Sequence, residues 1–159
     1  MSRFKNVVPV PLGEIRRIEG KLGASAQPGS LLTASDAFAA GNSYHAQSDG
    51  ADLSLNGAGN TKGVLILMEQ EDLVLTDIVT AIPSASWGRG HVLKAGEEVT
   101  VILNAAAVIA SGDKLGPAAS GKVVKVTGAT GDADPMFSAI ETATAGSTGD
   151  ALRILARVL

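Results

Sequence analysis

Apolar and polar positions alternate most clearly over residues 98–103, where Val99, Val101 and Leu103 fall on one side and Thr100 and Ile102 on the other. A pleated strand imposes that period of two, so the pattern predicts a strand. Ala95-Gly96-Glu97 stands before it as a tight turn, in which glycine takes a positive φ at no steric cost. Ser111-Gly112-Asp113 predicts a second turn, leading through Lys114 and Leu115 into another apolar run. Residues 151–159 alternate again, with Leu152, Ile154, Ala156 and Val158 facing one way and Arg153 and Arg157 the other. A one-residue slip would put those arginines in the core, so the register of this last strand is pinned.

Shorter strands are predicted at Leu31-Leu32-Thr33, after a Gln27-Pro28-Gly29 turn, and over 136–141, after the break at 130–134. Residues 63–68 form an unbroken apolar run, the mark of a strand covered on both faces. A hairpin is expected over 36–47, around Gly41-Asn42. Two stretches carry helical spacing instead. Ile15, Ile18 and Leu22 fit a turn and a half of helix, yet glycines flank them, so 13–23 is a weak helix or an irregular loop. Leu73, Val74, Ile78 and Ile82 suggest a helix over 69–83, with Thr76 and Asp77 as cap residues and Pro83 as its stop. Residues 48–62 are polar and glycine-rich and predict an exposed loop, with a small strand within it at 52–55.

Turn residues recur every 8–15 positions, and few segments reach helical length. The predicted fold is therefore mainly β: a small antiparallel β-barrel or sandwich-like domain over 13–159, with one or two short helices at most. Residues 1–12 make an extended N-terminal arm, because Pro9 and Pro11 remove donors and hold Val8 and Val10 in extended geometry. Such an arm cannot be an interior strand of its own sheet.

Composition changes this picture little. The 159 residues suit one domain with a real core, and with aromatics at 3% small aliphatics must fill it. The net charge of −3 excludes a basic nucleic-acid binder. Its distribution matters more: residues 1–21 carry Arg3, Lys5, Arg16, Arg17 and Lys21 against Glu14 and Glu19, while the rest of the chain is acidic. A basic start on an acidic body points to contact with an acidic surface, or else to charged ends that stay solvated. No cysteine is present, and no run approaches the ~18 apolar residues of a membrane span. The 7–12 run is too short for a signal-peptide core, so a chain starting here is expected to be made in a cytoplasm.

Reaction chemistry finds no foothold. His45 and His91 are far apart and lack carboxylates at ligand spacing, so surface or interface roles are expected. Glu69, Glu71 and Asp72 read as a solvated turn rather than a cation seat. Asp132 and Asp134 open like a calcium loop that the following residues do not complete. The 57–63 stretch lacks the Gly-Lys-Ser/Thr order of a phosphate loop. The expectation is a chain that is not an enzyme, with no catalytic, cofactor-binding or metal-binding residues. Trp87 with Arg89 stands out instead. Such a tryptophan is either half-buried packing with its N–H bonded or an interface anchor, since Trp and Arg are enriched at binding hot spots.

The succession of an apolar run ending in acids (64–71), Trp87-Gly88, Leu-Lys-Ala-Gly-Glu-Glu-Val (93–99), Ser-Gly-Asp-Lys-Leu (111–115), Ser-Gly-Lys-Val (120–123) and a closing Leu-Arg-Ile-Leu-Ala-Arg-Val resembles tailed-bacteriophage head decoration, or cement, proteins. The resemblance covers 63–159, and its motifs are short and glycine-dominated. It implies a β-rich domain on the outer capsid surface of a virion, which stabilises the shell by bridging neighbouring major capsid proteins. It also implies a symmetric oligomer, a homotrimer in preference to a dimer, with no nucleic-acid or membrane partner. On that reading Arg3, Phe4, Lys5, Val7, Val8 and Val10 form the capsid-binding arm, and Trp87 and Arg89 meet another subunit or the capsid. Two other readings stay open: a different virion β module, such as a tail or fibre-base component, and a ligand-binding β-barrel without a recognisable motif.

Overall fold

The computed structural model describes residues 17–34, 53–55, 66–68, 80–104, 107–129, 132–146 and 153–159. Twelve strands run through them: β1 (Arg17–Lys21), β2 (Leu31–Ala34), β3 (Leu53–Leu55), β4 (Ile66–Met68), β5 (Trp87–Val92), β6 (Glu98–Ile102), β7 (Val108–Ile109), β8 (Lys114–Pro117), β9 (Val123–Lys125), β10 (Phe137–Ala139), β11 (Ala143–Thr144) and β12 (Arg153–Val158). One 3-10 turn, Ala119–Gly121, is the helical content of this part of the chain. The first sheet has the order β1-β5-β4-β2-β3 and the second β6-β12-β10-β8-β9, with β7 and β11 paired as a small third. Every ladder is antiparallel. The mainly β prediction holds, and its barrel form does not: the sheets are open. The two edges of the second sheet meet at a single bridge, Leu103 with Val123, so that sheet curls without closing.

The alternation in the sequence places the larger core. Val99 and Val101 of β6 stand opposite Ala156 and Ile154 of β12, as the pinned register requires. Both rows point into one buried cluster with Val158, Phe137, Ala139, Leu115, Val123, Ile109 and Leu103. Leu22, Ala26, Leu32, Val92 and Leu53 form a second, smaller cluster. β2 joins the two, because successive strand side chains point to opposite faces. Leu31 enters the larger core and Leu32 the smaller, and both are wholly buried.

Several expectations need correction. Residues 17–21 are neither helix nor loop but β1, paired with β5 from Arg17↔His91 to Lys21↔Trp87. The charges at 17, 19 and 21 already alternate with Ile18, Gly20 and Leu22, and the competing i, i+3, i+7 spacing obscured that period of two. Within the 48–62 stretch the small strand expected at 52–55 is present as Leu53–Leu55, paired with β2, but it is not exposed: Leu53 is buried in the smaller core. Residues 80–83 are not helical, and Ile82 instead bridges Ala26. The arm at 1–12, the hairpin at 36–47, the rest of the helix expected over 69–83, and the side chains of the 63–68 run lie outside the described residues.

The polar row of β12 is also mixed. Arg157 is exposed, as expected, and it reaches Glu98 Oε1 at 2.9 Å across the ladder. Arg153 is only 1% exposed. It stands opposite Ile102, and its Nη2 donates to the Pro28 carbonyl at 3.3 Å, so the 27–30 turn covers this end of the sheet. A buried guanidinium is costly unless hydrogen-bonded, and the carbonyl of that turn helps meet the need.

Two aspartates hold the loops around β8 and β9. Asp132 Oδ2 accepts from Thr127 N at 2.7 Å, Thr127 Oγ1 at 2.9 Å, Gly128 N at 2.9 Å and Ala129 N at 3.2 Å. These bonds, those from Thr127 first, hold its pKa below the ordinary aspartate value of 3.8. Asp113 is held low chiefly by its bond to Lys125 Nζ at 2.7 Å, then by Ala110 N at 2.8 Å. A carboxylate with a depressed folded pKa stabilises the native state fully above its unfolded pKa, and that contribution is lost as pH falls through the folded value. Titration by NMR should therefore place both midpoints below 3.8, and Asp132→Asn should leave the 127–132 loop less ordered at neutral pH. A midpoint for Asp132 at or above that value would contradict the capping geometry.

Candidate functional site

β5 carries two kinds of residue on its two faces. Gly88 and Gly90 face inward and are buried, and Leu22 packs so closely over Gly88 that a Cβ there would stand 2.8 Å from the leucine Cδ2. Trp87, Arg89 and His91 share the opposite face. Register adds the β1 residues on that side: Lys21 opposite Trp87 and Glu19 opposite Arg89.

Exposure along this face falls steadily. Trp87 at its outer end is 57% exposed, Arg89 is half-buried, and His91 is fully buried. Arg89 donates from Nε and Nη2 to the same Glu19 oxygen, each at 2.8 Å. The pair is two residues of strand away from the indole, about 7 Å. Trp87 and Arg89 thus lie on one face, and the tryptophan is more than half exposed.

His91 departs from its expected surface role. Its Nε2 lies 2.8 Å from Glu97 Oε2, with both side chains fully buried. The same oxygen accepts the Lys94 N–H at 2.9 Å. This pair spans residues 93–97, where the chain leaves β5 in the first sheet and enters β6 in the second. Gly96, at φ +89°, makes the turn that the sequence demanded, and its N–H donates to the Val158 carbonyl at 2.9 Å. The histidine–glutamate contact is an internal fastening rather than an accessible acid–base centre.

Sequence reasoning missed Glu19 and Lys21 as members of the exposed face. Glu19 and Arg89 are 70 positions apart, and only the β1–β5 ladder brings them together. Arg3, Phe4, Lys5, Val7, Val8 and Val10 lie outside the described residues, as do His45 and the Glu69, Glu71 and Asp72 group. Among the described residues no three His, Cys, Asp or Glu side chains come together to hold a metal ion. No helix among them is long and apolar enough to cross a membrane.

Fold and surface together define a small protein of open antiparallel sheets, with one exposed aromatic and charged face on its first sheet. Its structural likeness is to the N base of the head fiber protein gp8.5 of bacteriophage phi29, at a TM-score of 0.55 and 13% sequence identity, over 92% of this chain and 95% of that one. No protein-family model matches the chain, and no curated protein matches it. At that identity the likeness is one of fold.

Proposed function

We propose that this chain is a structural component of a phage virion, seated on the outer surface of the head. The observation that carries the reading is the extent of the structural likeness: nearly the whole chain superposes on nearly the whole of a head-fiber base. A base on a head needs a compact body and a surface that grips what lies beneath or beside it. The two-core β body and the Trp87–Arg89 face match that need. The neighbour favours a base for a projecting part. The sequence resemblance to cement proteins favours a further role, in which the chain bridges neighbouring major capsid proteins and stabilises the shell without catalysing a reaction.

On this proposal the basic residues at the start of the chain, Arg3 and Lys5, with Phe4, Val7, Val8 and Val10, make the shell contact. Several copies acting together would strengthen such a contact, because each further engagement is intramolecular. The test is sedimentation of the purified protein with expanded phage shells that lack it. Full-length chain is expected to co-sediment, and a variant without residues 2–12 should keep its circular dichroism and melting temperature while remaining in the supernatant. Failure of the full-length chain to bind shells would overturn the head-surface reading. A rise in melting temperature with a metal, nucleotide or sugar would then favour the ligand-binding alternative.

A further inference from the structure

The exposed face of the β1–β5 ribbon carries both charge signs side by side next to an aromatic anchor. Arg89 and Glu19 are direct cross-strand partners, at 33% and 59% side-chain exposure, and Trp87 follows on the same face at 57%. The larger core lies in the other sheet, and the ribbon's inward face is already filled by Leu22 against Gly88. The fold therefore gains little from an indole here, whereas a large exposed aromatic beside arginine is the composition of an association hot spot.

We infer that this face is an interface with a second copy of the same chain, related by a twofold axis. A twofold contact brings the same patch from both copies together, so it requires a patch that complements itself. An adjacent plus and minus satisfies that requirement. Antiparallel apposition of two ribbons sets Arg89 of each copy against Glu19 of the other, converting one intramolecular pair into a four-membered network. The two indoles then pack near the axis, where water is excluded. Lys21, half-buried opposite Trp87, stands at the rim of the patch. Stable interfaces cover roughly 800 Å² per partner, so these side chains would form the centre of a larger contact. The inference rests on the virion reading only for the use of such an assembly, and it is tested without shells.

Charge exchange gives the decisive experiment. Full-length wild-type protein, followed by analytical ultracentrifugation over a concentration series, is expected to pass from one-chain to two-chain mass. Emission from Trp87, the single tryptophan of the chain, should shift to the blue over the same range. Glu19→Arg and Arg89→Glu each place like charges against each other and are expected to sediment as single chains. Their melting temperatures at low concentration should fall by a few degrees at most, because each also replaces the exposed Arg89–Glu19 pair within the chain by two like charges. An equimolar mixture of the two variants should regain the two-chain species, because one copy then presents two positive groups and the other two negative ones. One-chain mass for the wild type throughout, undiminished association of either variant, no recovery on mixing, or a three-chain mass would each overturn the inference. None of these outcomes bears on whether the chain binds shells.

Discussion

Glu97→Ala is expected to remove about 1–3 kcal/mol of stability or more, the usual cost of leaving buried hydrogen-bonding groups without their partner. Glu97 and His91 are both fully buried, with 2.8 Å between Oε2 and Nε2, and the same oxygen accepts the Lys94 N–H. Deleting the carboxylate takes an acceptor from two donors at once, in a place that solvent does not reach. The position adds to the effect. Glu97 accepts the Val158 N–H through its own carbonyl at 2.9 Å, so the segment that it orders also anchors the last strand. Loosening it affects the junction of both sheets. Replacing both members with apolar groups of similar size, His91→Leu with Glu97→Met, should recover part of the loss, since the imidazole is then no longer stranded and only the Lys94 N–H lacks its acceptor. Urea unfolding of the three proteins decides the matter. A loss below about 1 kcal/mol for Glu97→Ala would mean that water or a rearranged neighbour takes over the carboxylate's bonds.

A comparably large loss is expected from Gly121→Ala, for a different reason. Gly121 closes the 3-10 turn at φ +69°, and a Cβ built there would stand 2.7 Å from the Leu31 carbonyl oxygen. A left-handed backbone costs an L-residue about 1–2 kcal/mol, and forcing a methyl group into a packed site costs roughly 1–3 kcal/mol more. The neighbouring atom is backbone, so it cannot turn aside as a flexible side chain would. Moving it would displace Leu31, which belongs to the larger core. Gly112→Ala is the matched control, because Gly112 has φ +88° but nothing within 4 Å of its built Cβ. It should show only the backbone part, about 1–2 kcal/mol. Thermal unfolding of the two variants side by side separates crowding from conformational strain. Equal losses would mean that the site around Gly121 yields without cost.

Local pattern was enough to pick out the row of each strand that points into the larger core. β6 and β12 could be read from alternation alone, and so could the face that each turns to the core, because a one-residue slip would invert every side chain; their pairing with each other could not. The turns at Gly96 and Gly112 were equally legible, since both have the positive φ that glycine accepts readily. β1 was harder. Five residues fit a short strand and a turn of helix about equally well, and the choice was made by a partner strand about 70 positions away.

The candidate face shows the same division. Trp87 and Arg89 could be picked out by residue type, because a lone tryptophan beside an arginine is unusual in a chain so poor in aromatics. Nothing local marked Glu19 as the partner of Arg89. His91 was misplaced because no carboxylate stands near it at ligand spacing, whereas its partner Glu97 meets it from the other side of a turn.

By itself, then, the sequence determined a mainly β fold, the faces of its central and final strands and the glycine turns between them. These follow from forces that act within a few residues: the pleat of a strand and the steric limits on φ. The tertiary structure alone decided that the sheets stay open, that Leu31 and Leu32 serve two separate cores, and that Arg153 is buried beneath a distant turn. It also decided which charge meets Arg89 and which carboxylate meets His91. Such contacts join positions far apart in the chain, and their energies exist only once the strands between them have paired.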